Sequence, residues 1–121
     1  MKGHVVGHQP RIDVVFRIPN QPDLTIEFAV DTGFEGCLTL PPAAISALKL
    51  SKVRSMSTTL ADDSMRFVDV FEAVIVWHGM EVVVDVLPMG LRPLLGTTLL
   101  TGSYFGVDFV PGGDVVIKPH P

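Results

Sequence analysis

One cysteine, Cys37, is all that the chain contains, so no disulfide can close within it and nothing in the composition asks for an oxidising compartment. The thiol is expected to be buried and inert. Charge is also scarce, at 18% of residues, and nine basic side chains against 13 acidic ones leave a net charge of -4. That is the wrong sign for a surface that tracks phosphates, so nucleic acid is excluded as an expected partner. Long apolar runs are missing too: the longest, Ala73 to Trp77, falls far short of the roughly 20 residues a bilayer-crossing helix needs, and no membrane span is expected. The first residues hold His4, His8, Gln9 and Pro10 where a secretory leader would carry its apolar core, which points to a cytoplasmic location.

What is present is a chain of 121 residues, 47% of them hydrophobic, enough for one domain with its own core. Residues 1–10 are expected to be a solvated N-terminal tail and 11–121 the single domain. His4 and His8 have helical spacing for a metal pair, but Gly3, Gly7 and Pro10 oppose a helix there, so no metal is expected. Alternation at period two dominates from there on. Ile12, Val14, Phe16 and Ile18 oppose Arg11, Asp13 and Arg17. After the turn residues Pro19 to Asp23, Leu24, Ile26, Phe28 and Val30 oppose Thr25 and Glu27, giving a hairpin.

Further strands are expected at Cys37 to Leu40, Val53 to Leu60, Met65 to Trp77, Glu81 to Leu87, Tyr104 to Val110 and Val115 to Lys118. Turns fall at Ala61 to Ser64, His78-Gly79 and Pro111 to Asp114. Pro41-Pro42 opens a helix over Ala43 to Leu50, and Thr97 to Thr101 forms a short second one closed by Gly102. Met56, Met65, Met80 and Met89 are expected in the core or lining a cleft, and Ser46, Ser51 and Ser55 lack the glycines of a nucleophile elbow. Trp77-His78-Gly79 reads as a strand end and turn. The sum is a mostly β fold with one or two short helices, expected to close into a small barrel.

Two segments carry chemistry. Ala29-Val30-Asp31-Thr32-Gly33 presents a carboxylate at a strand end, with Gly33 permitting the sharp turn that follows. Leu94-Leu95-Gly96 then precedes the helical turn Thr97 to Leu100. With a hairpin tip between them, these motifs resemble the retropepsin-like aspartic proteases of clan AA, and Asp31-Thr32-Gly33-Phe34 looks like a prokaryotic single-domain branch of that group. The resemblance runs from the first hairpin to Lys118. It implies an acid-protease barrel working as a homodimeric endopeptidase on peptide or protein substrates, with no cofactor. One Asp-Thr-Gly supplies one carboxylate, whereas hydrolysis of this kind uses two that share a proton, so a second copy must bring the other.

The same resemblance implies a role for each matched residue. Asp31 is the catalytic carboxylate, Thr32 locks the two loops across the dimer, and Gly33 brings its backbone to the carboxylate. Ala61, Asp62, Asp63 and Ser64 form the flap that closes over substrate, Leu94, Leu95 and Gly96 brace the loop, and Asp114 to Lys118 with the strand near Arg11 are interface elements. Four positions depart from the viral pattern: Phe34 replaces a small or hydroxyl residue, Thr97 replaces an arginine and leaves Glu35 without an obvious cation, and Asp62-Asp63 replaces flap glycines. The acidic flap tip and Phe34 favour the alternative of a non-catalytic peptide-binding or assembly module. The intact Asp31-Thr32-Gly33 favours the enzyme.

Overall fold

The computed structural model describes residues 1–59 and 62–121. Strand β1 (Lys2–Val6) occupies the segment that composition predicts as a solvated tail. Gly7 and His8 both take positive φ, 56° and 65°, which makes a two-residue turn whose twist suits the strands it joins. The glycines that oppose a helix here therefore serve a hairpin. Val5 is buried at 5% exposure, and β1 pairs with β2 (Gln9–Arg17) on one side and with the last strand, β10 (Asp114–Pro119), on the other. His4 and His8 are exposed, and among the described residues no cluster of three or more metal-ligating side chains forms.

The alternation along β2 is realised as read: Pro10, Ile12, Val14 and Phe16 are buried while Asp13 and Arg17 are exposed. Strand β3 (Leu24–Val30) departs from it, ending in three consecutive buried residues, Phe28, Ala29 and Val30. Both faces of the sheet are therefore covered at this end of β3, where a strand loses its polar face. Its neighbours in the sheet are β2 and the parallel two-residue strand β8 (Leu94–Leu95). Beyond β8 lie β4 (Leu38–Leu40), β7 (Met80–Pro88), β6 (Met65–Trp77) and β5 (Ser51–Thr59). At the opposite end β10 is followed by β9 (Ser103–Val107) as the edge strand. An additional antiparallel pairing of β6 with β2, Val15 to Val76 through Arg17 to Val74, returns the sheet on itself.

Helix α1 (Pro42–Leu48) starts as Pro41-Pro42 predicts but stops short of Leu50, because Lys49 turns left-handed at φ 54°. Its Ile45 is buried. Helix α2 (Thr97–Leu100) buries Leu99. Strand β9 ends at Val107 instead of Val110, where Asp108, Val110 and Gly113 fold into a loop of backbone hydrogen bonds. The core gathers Ile12, Val14, Phe16, Phe28, Leu38, Ile75, Val86, Leu95, Val115 and Ile117. Phe16 and Phe28 stack within it, with centroids 5.9 Å apart. Met56, Met65, Met80 and Met89 do not join it: all four are exposed, two of them because the β5–β6 hairpin extends as an arm whose residues are mostly exposed on both faces. No helix among the described residues is long and apolar enough to cross a membrane.

Candidate active site

Asp31 leaves the end of β3 with its amide still in the sheet, donating to the Leu95 carbonyl at 2.9 Å as a continuation of the β3–β8 ladder. The Phe34 amide returns to the Asp31 carbonyl at 3.1 Å and closes the turn. Within it the Gly33 amide donates to Asp31 Oδ1 at 2.9 Å, fixing the orientation of the carboxylate by a charge-assisted bond. Asp31 is half-buried, and Thr32 and Gly33 are exposed. The loop thus presents an oriented acid at an open surface.

The strand behind this loop, β8, is clasped on both sides, by β3 in parallel and by β4 in antiparallel register. Thr39, the buried polar residue of β4, accepts a hydrogen bond from the Leu94 amide at 3.1 Å. Gly96 donates to the Cys37 carbonyl at 2.9 Å. The first turn of α2 then turns its unpaired amides onto the loop: Thr97 N to the Phe34 carbonyl at 2.8 Å and Thr98 N to the Gly36 carbonyl at 3.2 Å. The Thr97 hydroxyl adds a bond to the Phe34 carbonyl at 3.3 Å, and the Thr98 hydroxyl bonds the Glu35 carbonyl.

Phe34 has a part in this that its departure from the viral pattern does not disclose. Its ring lies over Gly36 and Gly96, so close that a Cβ on Gly96 would stand 2.6 Å from the ring and 2.6 Å from the Phe34 carbonyl oxygen. Position 97 likewise holds the loop through its backbone and hydroxyl, and no cation is needed for that. Glu35 is exposed.

Cys37 is half-buried, less than the sequence suggests. Burial pushes its thiol above the ordinary cysteine value, opposed by a hydrogen bond with the Asp85 backbone. The Asp85 carboxylate is gripped by both terminal nitrogens of Arg54, one at 3.4 Å and the other closer, which ties β5 to β7 at the root of the arm. At the arm's tip Asp62 Oδ1 accepts from the Ser64 amide at 3.0 Å and from its hydroxyl. These bonds hold the Asp62 carboxyl below its usual range, and Asp63 takes φ 64°. Ala61 lies outside the described residues. Among the described residues no hydrogen bond joins this tip to the Asp31 loop.

Cavities open on the surface among the described residues. One of about 350 Å³ lies among Phe16, Ile18, Leu48, Leu50, Ala73 and Val83, and one of about 390 Å³ among Val5, Gly7, His8, Phe109, Val110 and Pro111. Asp31 lines neither. The two expected interface strands also differ from their reading. Over their paired residues β2 and β10 have both hydrogen-bonding edges filled within the chain, by β1, β3 and β6 and by β1 and β9, so Asp114 to Lys118 and the strand at Arg11 have no free edge there for a partner strand.

Neither a protein-family model nor a curated protein matches the sequence. Among solved structures, the crystal structure of a retropepsin-like aspartic protease from Rickettsia conorii is similar with a TM-score of 0.58 at 19% identity, covering 98% of this chain and 92% of that one. With the Asp-Thr-Gly loop hung between β3 and β8 and the likeness running nearly end to end, the chain has the retropepsin-like fold.

Proposed function

We propose that the protein is an aspartic endopeptidase in which Asp31 of two copies forms one catalytic pair. The observation that carries this reading is the Asp31 carboxylate, oriented by the Gly33 amide at 2.9 Å on a loop braced from behind yet open in front. In the working pair one carboxylate is ionised and the other holds the shared proton. The ionised oxygen takes a proton from a water, whose oxygen attacks the scissile carbonyl carbon. The protonated carboxyl gives its proton to the carbonyl oxygen, forming a tetrahedral diol; the carboxyl that took the water's proton then passes it to the departing amine nitrogen as the C–N bond breaks, and a diol hydroxyl returns its proton to the other carboxylate. Thr32, exposed beside Asp31, bonds across the pair, while Leu94, Leu95 and Gly96 hold the loop in place. Asp62, Asp63 and Ser64 form the flap tip.

The free edge of β9 supports a location for the dimer contact. On that side of the sheet it is the strand with an unfilled edge, and it leaves α2, whose first turn grips the Asp31 loop, after only Thr101 and Gly102. Antiparallel pairing of β9 with its symmetry mate closes both edges at once. Cleavage of a peptide library by the wild-type protein beside Asp31→Asn tests the reading. Cleavage is expected to vanish in the variant with the fold kept, because the amide retains an oxygen for the Gly33 bond but cannot serve as the base. Residual cleavage within tenfold of wild type contradicts it.

A further inference from the structure

The β5–β6 arm carries one cation with no assigned task. In an antiparallel pair, directly opposed residues share a face and the faces alternate at period two. The register sets Arg66 against Thr58, Val68 against Met56 and Val70 against Arg54, so Arg54, Met56, Arg66, Val68 and Val70 belong to one face. At the root of the arm that face meets the body of the protein: Val70 is fully buried, and Arg54 grips Asp85 of β7, the neighbour of Val86, which pairs with Leu38 of β4 beyond the Asp31 loop. The other face carries Met65, Phe67 and Asp69, the last held by Lys52 at 3.2 Å and by Ser55.

Arg66 therefore lies near the tip of the arm on the same face as Val70 and Arg54, the face that meets the body at the arm's root. Among the described residues it makes no ion pair, unlike Lys52 and Arg54, the other cations of the arm, which each hold a carboxylate. The nearby acids do not take it up: Asp62 spends its carboxylate on Ser64. A guanidinium presents paired donors that match a carboxylate side by side.

We infer that Arg66 selects acidic side chains in the peptide bound at Asp31, an inference that rests on the peptidase reading. With two copies related by a twofold axis, two Arg66 side chains flank the scissile bond, so acidic residues are favoured on both sides of it. Asp62 and Asp63 at the tip repel carboxylates elsewhere along the arm and confine that preference to the positions beneath Arg66.

The test compares peptides carrying Glu on either side of the scissile bond with their Gln isosteres, in wild type, Arg66→Lys, Arg66→Gln and Arg66→Glu. Binding of the labelled Glu and Gln peptides to Asp31→Asn protein, with and without each Arg66 change, is measured alongside. The Glu-to-Gln ratio of kcat/KM is expected to be about three- to tenfold in wild type, from one partly exposed charge-assisted contact. It should persist in Arg66→Lys, fall to near unity in Arg66→Gln and invert in Arg66→Glu. Cleavage with a ratio that does not respond to Arg66→Glu overturns the inference and leaves the peptidase reading standing. If nothing is cleaved but Glu-peptide binding depends on Arg66, the peptidase reading fails and acidic-peptide recognition stands. Neither cleavage nor Arg66-dependent binding overturns both.

Discussion

A methyl group on Gly96 has nowhere to go, since the Gly36 carbonyl oxygen would stand closest to it and the Phe34 ring and carbonyl oxygen 2.6 Å away. All three obstacles belong to the loop that carries Asp31, so Gly96→Ala must displace that loop or α2 beneath it. Overpacking of this kind costs about 1–3 kcal/mol, and denaturant unfolding is expected to show a loss in that range together with weakened cleavage. Because the ring is one of the colliding groups, Phe34→Ala combined with Gly96→Ala should destabilise less than the sum of the two single changes. Strict additivity would mean that the ring does not press on Gly96. The pair also shows where reading by residue type falls short. Phe34 is visible in the sequence only as a missing hydroxyl, while its packing on Gly36 and Gly96 spans some sixty positions of chain.

The hairpin arm and the Asp31 loop differ in how they are held. The arm's tip depends on one exposed carboxylate, Asp62, which Ser64 holds below the ordinary carboxylate range through its hydroxyl and its amide. That stabilisation is complete above the usual carboxylate value and is lost as pH falls through the lowered one, when Asp62 takes up a proton and stops accepting from Ser64. Ser64→Ala removes the larger of the two contacts, so the Asp62 titration followed by NMR is expected to move upward toward an ordinary aspartate. Identical titrations in both proteins would contradict the turn geometry. The strands β2 and β3 and the Pro-led helix α1 were legible in the sequence because one-sided burial and missing amides leave local patterns. Strand β1 was hidden because Gly7-His8 reads equally as a break and as a left-handed turn, and pairing with β10 joins opposite ends of the chain. The Thr97 and Thr98 hydroxyls on the Asp31 loop were illegible for the same reason: their partners lie 63 positions away. Exposed methionines on the arm defeated composition, which cannot tell a projecting ribbon from a core strand.

At the scale of the molecule, one chain holds one Asp31, and β9 keeps an unfilled edge at its end of the sheet, where the proposed second copy would pair. Tyr104 on that edge is half-exposed and lies against Lys118, 5.1 Å from the ring. Tyr104→Glu keeps a partner for Lys118 within the chain but places like charges near the twofold axis. Sedimentation is expected to show association weakened about tenfold, with an unchanged circular dichroism spectrum. Association unaltered by this change would move the contact away from β9. The claim that two copies build one site is tested most directly by mixing wild-type protein with Asp31→Asn at constant total concentration, letting subunits exchange, and measuring peptide cleavage. If each site needs two Asp31 carboxylates, an equal mixture retains about one quarter of the wild-type rate, because only that share of randomly paired dimers holds both. A rate of one half, in simple proportion to the wild-type protein present, would show that a single chain cleaves on its own.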